Sequence, residues 1–297
     1  MNGFIRQGMK NKMIHSNYKW SPIPVGIEVF GVDLKRQLDQ VTVERIKEDV
    51  TRHRLVVFRN QGVVDGSRQV EISKWFGEID NVSYAKHPMS PNIDIFRVSN
   101  DPAQGCTGVG MSGWHIDGTF RSEPYSHSIY HMVSVAKSGG DTMFIPLTEV
   151  VESFSPEQRE FLDHVWMLSD RRNHLCHPLI YLHPLTGRPT MCFHQGMTSG
   201  FVRDYDPTSG KLDLLNEEEN KSVISAIQSA IESATVYSHK WLETGDFILS
   251  DNLAVGHRAG SIPSSVETAG LRILHRVTVA GKTSPCKNVL QKQECCY

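Results

Sequence analysis

The chain has 297 residues, enough for one large domain or two small ones with a sizeable buried core. Its 39% hydrophobic and 22% charged content is that of an ordinary globular protein, and no apolar run approaches the ~18 residues of a membrane span. A net charge of −2, from 31 basic and 33 acidic residues, argues against nucleic acid as the habitual partner.

The first 27 residues hold no acid but carry Arg6, Lys10, Lys12 and Lys19. Residues 1–20 read as a flexible basic start, with an organelle-targeting segment as the rival reading. Residues 41–53 place Val43, Ile46 and Val50 at helical spacing, and "LVVF" at 55–58 follows as a buried strand. Asp65 caps a second helix that buries Ile72, Trp75 and Phe76 and stops at Gly77. Short strands are expected at 93–98, 113–120, 128–135 and 142–145.

At 155–165, Ser155, Pro156 and Gln158 spell a capping box at the start of a helix. Residues 216–233 open with acids and put Val223, Ile227 and Ile231 on one helical face. Strands return at 236–241, 247–250 and 271–279, and 284–297 is a polar tail. The pattern predicts a single domain over 21–283, mainly β with helical insertions (α+β). Because strands and helices do not alternate as βαβ, a jelly-roll or similar double sheet is favoured over a doubly wound sheet. The six cysteines, Cys106, Cys176, Cys192, Cys286, Cys295 and Cys296, show no C-x-x-C spacing. No disulfide framework is expected, and a reducing, cytoplasmic setting fits.

The stretch "GWHIDGTF" at 113–120 sets an imidazole and a carboxylate two residues apart. On a strand, His115 and Asp117 share one face while Trp114 and Ile116 pack on the other. A surface strand with two polar residues gives the same pattern, so a third ligand is needed. His257, in "SDNLAVGHRAG", is the best placed of the 14 histidines. Two imidazoles and one carboxylate make the facial triad of non-haem iron(II) oxygenases, which leaves coordination positions open. In "LRILHRVTVAG", Arg272, Leu274, Arg276 and Thr278 share one strand face. Two arginines on one face suit a carboxylate clamp, although a solvated outer face would look alike. "GGDT" at 139–142 adds a tight turn and the Thr142 hydroxyl at a strand start.

Taken with "GVDLKRQL", "HRLVVFRNQ", "WFGEI", "KHP", "SGGDTMF", "HPLIYLHPLTGRP", "GDFILSDNLAVGHRA" and "RILHRVTV", the chain resembles the taurine/2,4-dichlorophenoxyacetate dioxygenase family of iron(II)- and 2-oxoglutarate-dependent oxygenases. The resemblance covers roughly residues 24–281. It implies a double-stranded β-helix (jelly-roll) core, with iron(II), 2-oxoglutarate and O2 as cofactor and cosubstrates. It matches His115, Asp117 and His257 to the iron ligands, and Thr142 and Arg272 to the 2-oxoglutarate anchors. Arg276 matches a residue near both the keto-acid end and the substrate's acidic group, and His87 a contact to the substrate anion.

The implied reaction oxidises an unactivated C–H bond of a small anionic metabolite, by hydroxylation with or without fragmentation, and releases succinate and CO2. Asp117 weighs against halogenation, since halogenating relatives lack that carboxylate. Desaturation or oxidative ring closure of the kainoid-forming kind stays open. A nucleic-acid demethylase of the same superfamily would want a basic groove. A zinc hydrolase has no need of the arginine strand, and an inactive binding protein would not need every ligand. The sequence leaves a homo-oligomer open.

Two departures stand out. Met111 occupies a position where taurine dioxygenases carry asparagine, and "GSIPSSVETAG" is longer and more polar than the family's loop. Taurine itself is therefore not expected as substrate. His174, His177, His183 and His194 crowd together in sequence but lack a completing cysteine or acid at usual zinc spacing. Arg171 and Arg172 read as a solvated pair.

Overall fold

The computed structural model describes residues 18–80, 86–170, 175–206, 208–209, 211–242, 245–263 and 265–287. The expected basic start (1–17), the end of the tail (288–297) with Cys295 and Cys296, and Arg171, Arg172 and His174 lie outside them. In chain order, β1 (Lys19–Ile23) and β2 (Gly26–Phe30) precede α1 (Gln40–His53), β3 (Leu55–Phe58) and α2 (Gly66–Ser73). Then come β4 (Phe96–Ser99), β5 (His127–Ser134), β6 (Thr142–Pro146), α3 (Leu147–Glu152) and α4 (Pro156–Leu162). β7 (Val165–Ser169), β8 (Cys176–Pro178), β9 (Ile180–Leu182) and β10 (Pro189–Met191) follow. β11 (Thr198–Arg203) and β12 (Asp213–Leu214) lead into α5 (Glu217–Ser233). The order ends with β13 (Tyr237–His239), β14 (Phe247–Asp251), β15 (Val255–Ala259), α6 (Val266–Ala269) and β16 (Ile273–Val279).

A seven-stranded sheet runs β1-β2-β3-β14-β5-β16-β4, antiparallel except where β2 meets β3. A three-stranded sheet, β13-β6-β15, faces it, and a four-stranded sheet, β12-β11-β7-β8, lies beyond. Alternation along the large sheet sorts its side chains. Val56, Phe58, Ile129, Leu249 and Val277 pack with Ile46 and Val50 of α1 and Ile72 of α2. Leu55, Val57, Tyr130, Met132, Ile248 and Leu274 pack with Phe144 of β6 and Val255 of β15. Both faces are covered, which is why "LVVF" shows no polar alternation. A further core joins Trp114, Ile116, Ile145 and Leu179 to Val223, Ile227 and Ile231 of α5. That helix and α4 both carry the reciprocal capping box, Asn216 with Glu219 and Ser155 with Gln158.

The structure corrects four expectations. Residues 113–120 form no strand, for among the described residues only His115 makes isolated ladder pairs there. Gly113 (φ 101°) and Gly118 (φ 85°) leave the extended region at either end. A Cβ at Gly118 would lie 2.8 Å from the Tyr125 ring, so the departure is built in. The second helix stops at Ser73, where the bonds tighten to Trp75 N–H on the Ile72 carbonyl and Phe76 N–H on that of Ser73. Trp75 and Phe76 still pack on the core. The strand expected over 93–98 begins only at Phe96, because Ile95 N–H closes a turn on Asn92 and leaves Ile93 exposed. Lys19 and Trp20 are already part of β1 rather than of a flexible start. Cys106, Cys176, Cys192 and Cys286 carry no disulfide. No helix among the described residues is long and apolar enough to cross a membrane.

Candidate active site

The space between the large sheet and β13-β6-β15 holds His115, Asp117, His257 and Arg276. His257 stands on β15, and its backbone exchanges two hydrogen bonds with His115, at 3.0 and 2.9 Å. His115 also bridges His194, with Ile116 N–H on the Phe193 carbonyl and Gln195 N–H on that of Trp114. The 114–116 stretch is thus a single rung laid between β15 and residues 193–195. Its alternation survives without a regular strand. Trp114 and Ile116 join the core under α5, while His115 and Asp117 turn to the intersheet space.

Asp117 is held from every side. Its carboxylate accepts from Ser128 Oγ at 2.7 Å and from Arg276 Nη1 at 2.8 Å. Its backbone is clamped by the fully buried Asn252 amide, whose Oδ1 accepts from Asp117 N–H at 2.8 Å. Asn252 Nδ2 donates to the Asp117 and Tyr125 carbonyls, at 2.9 and 2.7 Å. Burial pushes the Asp117 carboxyl up, but the Arg276 guanidinium and both imidazoles outweigh it and hold the group well below the usual carboxylate range.

His115 Nδ1 donates to the Gly113 carbonyl at 2.8 Å, which fixes the tautomer and leaves a lone pair on Nε2. Burial, aided by His115, pulls the pKa of His257 down to about 3, so its ring is neutral. Its Nε2 is buried without a hydrogen-bond partner and lies 3.5 Å from Asp117 Oδ2. One ligating atom from each of His115, Asp117 and His257 lies within 4.8 Å of the others. A neutral imidazole nitrogen lacking a partner, a second with its lone pair free, and an ionised carboxylate fit a divalent metal.

The arginine strand faces inward, not to solvent. Arg272 and Arg276 are both buried, 9% and 6% exposed, and Leu274 between them packs on Phe144 and Val255. Arg276 also lies over the Phe96 ring. Arg272 Nε donates to the Gly140 carbonyl at 3.0 Å, and burial pulls its pKa down to about 10 against the opposing charge of Asp141. No carboxylate pairs with it among the described residues. Arg272 lines a cavity of about 60 Å³ with Asn100, Ile262 and Met111, the residue that departs from the family pattern. Thr142 Oγ1 accepts from Trp241 Nε1 at 3.1 Å, which leaves its own proton to donate.

His87 stands apart. Its Nδ1 accepts from Met89 N–H at 3.2 Å and its Nε2 donates to the Pro102 carbonyl at 3.1 Å. No described contact joins it to the triad. The clustered histidines disperse. His183 bonds the buried Asp251, His177 is buried with its pKa pushed down to about 4, and His194 stacks on His115 with ring centroids 4.5 Å apart. Sequence reasoning missed Asn252, Ser128 and the place of His194. Nothing in the "DN" at 251–252 says which backbone an amide will grip.

The profile of the taurine catabolism dioxygenase TauD, TfdA family matches residues 18–278. An alpha-ketoglutarate-dependent sulfate ester dioxygenase of Pseudomonas putida is 26% identical over 286 residues, covering 87% of each chain. A taurine dioxygenase structure from Burkholderia xenovorans superposes with a TM-score of 0.72 at 25% identity, covering 91% of this chain and 93% of that one. The structure of AAD-2 in complex with Mn(II) and N-oxalylglycine has the same TM-score, 0.72, at 19% identity, covering 91% of this chain and 100% of that one. With a match running through both sheets and every residue of the buried site, the chain belongs to the TauD/TfdA family and is an iron(II)- and 2-oxoglutarate-dependent dioxygenase.

Proposed function

We propose that the protein oxidises an unactivated C–H bond of a small anionic metabolite, with His115, Asp117 and His257 holding iron(II). The observation that carries the anionic reading is the charge of the intersheet space. Two buried guanidiniums face it, Arg276 from β16 and Arg272 from the residue just before it, and of the two only Arg276 has a carboxylate partner among the described residues. Buried charge needs a counter-ion. Arg272 and the Thr142 hydroxyl take the far carboxylate of 2-oxoglutarate, a bidentate and a single donor for one anion. Bound iron(II) supplies the coupling of 2-oxoglutarate decarboxylation, with O2, to C–H oxidation.

The chain's own residues bind, orient and exclude water. Ser128 and Arg276 orient the Asp117 carboxylate, and the Gly113 carbonyl orients His115. Phe144, Tyr130 and Val255 keep the walls apolar. Arg276 meets the keto-acid end of the cosubstrate and the acidic group of the substrate. His87 joins it there, because its Nε2–H has the polarity an anion needs and can leave the Pro102 carbonyl for it. The facing sheets read as a double-stranded β-helix core within one domain that begins with β1 rather than at residue 21, in keeping with the relatives' fold. The Pseudomonas putida relative, named for sulfate esters, supports an anionic substrate.

The test is succinate release with iron(II), 2-oxoglutarate and a panel of sulfonates, sulfate esters, phosphonates and carboxylates, each beside its neutral analogue. At least one anion should stimulate release above the substrate-free rate. Stimulation by neutral analogues alone would overturn the reading.

A further inference from the structure

Tyr130 lies on β5, on the face that turns Ser128 and Met132 toward β6 and β15. Across the ladder on β16 its partner is Arg276, as Met132 has Leu274. Ser128, two residues away on the same face, bonds the Asp117 carboxylate. The Tyr130 ring meets those of His257 and Phe144 edge to face, with centroids 5.9 and 6.2 Å away. The phenol is thus fixed between a site arginine and a candidate iron ligand.

Its hydroxyl is buried without a hydrogen-bond partner. Ser128 Oγ is close enough to influence it, but gives its own proton to Asp117 and does not meet the phenol in bonding geometry. Burial, and then the charge of Asp117, push the pKa of the phenol up, so the group keeps its proton to donate. A buried donor without an acceptor is destabilising until a ligand supplies one. Phenylalanine would fill the same space among Phe144, Val255 and Leu274 without that cost.

Arg276 meets the keto-acid end of 2-oxoglutarate in the function proposed here, so binding of the cosubstrate brings acceptor oxygens to the side where Tyr130 stands. We propose that Tyr130 Oη donates a hydrogen bond to the keto-acid end of bound 2-oxoglutarate, an inference that rests on that placement of the cosubstrate. It adds to Arg272 and Thr142 a donor at the opposite end of the same molecule.

Tyr130→Phe deletes the hydroxyl alone. Three quantities read its effect: the 2-oxoglutarate Kd of the iron(II)-loaded protein by anaerobic calorimetry, the visible charge-transfer absorption of that complex, and the Tm of the apoprotein. Kd should rise about tenfold or more, as loss of one hydrogen bond to a charged group implies. The absorption maximum should shift, because the lost donor acted on the chelating end. The Tm should not fall, since the hydroxyl removed had no partner in the apoprotein.

An unchanged Kd, or a raised Kd with an unshifted absorption maximum, overturns the proposal. So does a lowered Tm with native ligand constants, which would mark Tyr130 as a packing residue. A raised KM for the prime substrate at an unchanged 2-oxoglutarate Kd also overturns it and gives the hydroxyl to the substrate. If Tyr130→Phe has the expected effects while Arg272→Ala binds 2-oxoglutarate as the native chain does, the hydroxyl's role stands and the Arg272 anchor falls.

Discussion

The site is built from two unlike regions. His257, Arg272 and Arg276 belong to strands or their margins, and β16 is buried along its whole length between β4 and β5. His115 and Asp117 belong to a turn-rich stretch, between glycines with positive φ, that touches the sheet through one rung. On the strands, ladder bonds already satisfy the backbone and alternation aims the side chains. In the turn stretch, single side chains have to do both, and the Asn252 amide alone holds three backbone groups of Asp117 and Tyr125. Strand-borne groups are placed by the fold; turn-borne groups are placed by particular neighbours, and so are the more vulnerable to substitutions that never touch the metal.

The sharpest test is at the ligands, where both regions should fail alike. His115→Ala or His257→Ala should abolish iron-dependent turnover and metal binding while the protein stays folded, for each removes one of three ligands from the metal-holding group found among the described residues. Native turnover in either variant would refute the triad. Next in size is a strand-borne group. Arg272→Ala should raise the 2-oxoglutarate requirement about a hundredfold, as loss of a buried charged pair implies. An unchanged requirement would move the anchor to Arg276.

The comparison itself is tested at Asn252. Asn252→Ala should weaken metal affinity of the apoprotein by about tenfold or more, with Arg272-dependent 2-oxoglutarate binding changed less. Equal losses in both would show that the turn stretch and the strands are held as one body. His87→Ala should raise KM for the prime substrate severalfold, leave that for 2-oxoglutarate nearly unchanged, and release succinate without product. Full coupling with native constants would leave His87 as a loop fastener. The smallest effect is the remote control. Ser155→Ala removes one capping box and should lower stability by about 1 kcal/mol in urea unfolding, with metal affinity intact.

The legibility of the sequence divides along the same line. α1, α4, α5, β5, β14 and β16 follow from apolar period and caps, because those signals are local. The facing of Arg272 and Arg276 followed from alternation, and burial then excluded the solvated alternative. The pairing of His115 with Asp117 on one side was also legible, but for a reason only half right. Two-residue spacing aimed both side chains, while the strand assumed to do so shrank to one rung. Asn252, Ser128 and His194 act across 135, 11 and 79 positions of chain, and no local pattern carries such distances. The early stop of α2 and the late start of β4 were hidden because turn bonds at Ile72 and Asn92 depend on packing rather than on a breaker residue.

The single rung also has a consequence for motion. The amides of Trp114, His115, Ile116 and Asp117 are bonded to four different acceptors: the Gln195 side chain, His257, Phe193 and Asn252. Such a stretch can open to solvent as a small unit without melting β5 or β14. A ligand shared between this stretch and His257 closes that opening by its own binding free energy. Amide hydrogen exchange at 114–117 therefore reports occupancy of the site, while the amides of the large sheet report only global unfolding.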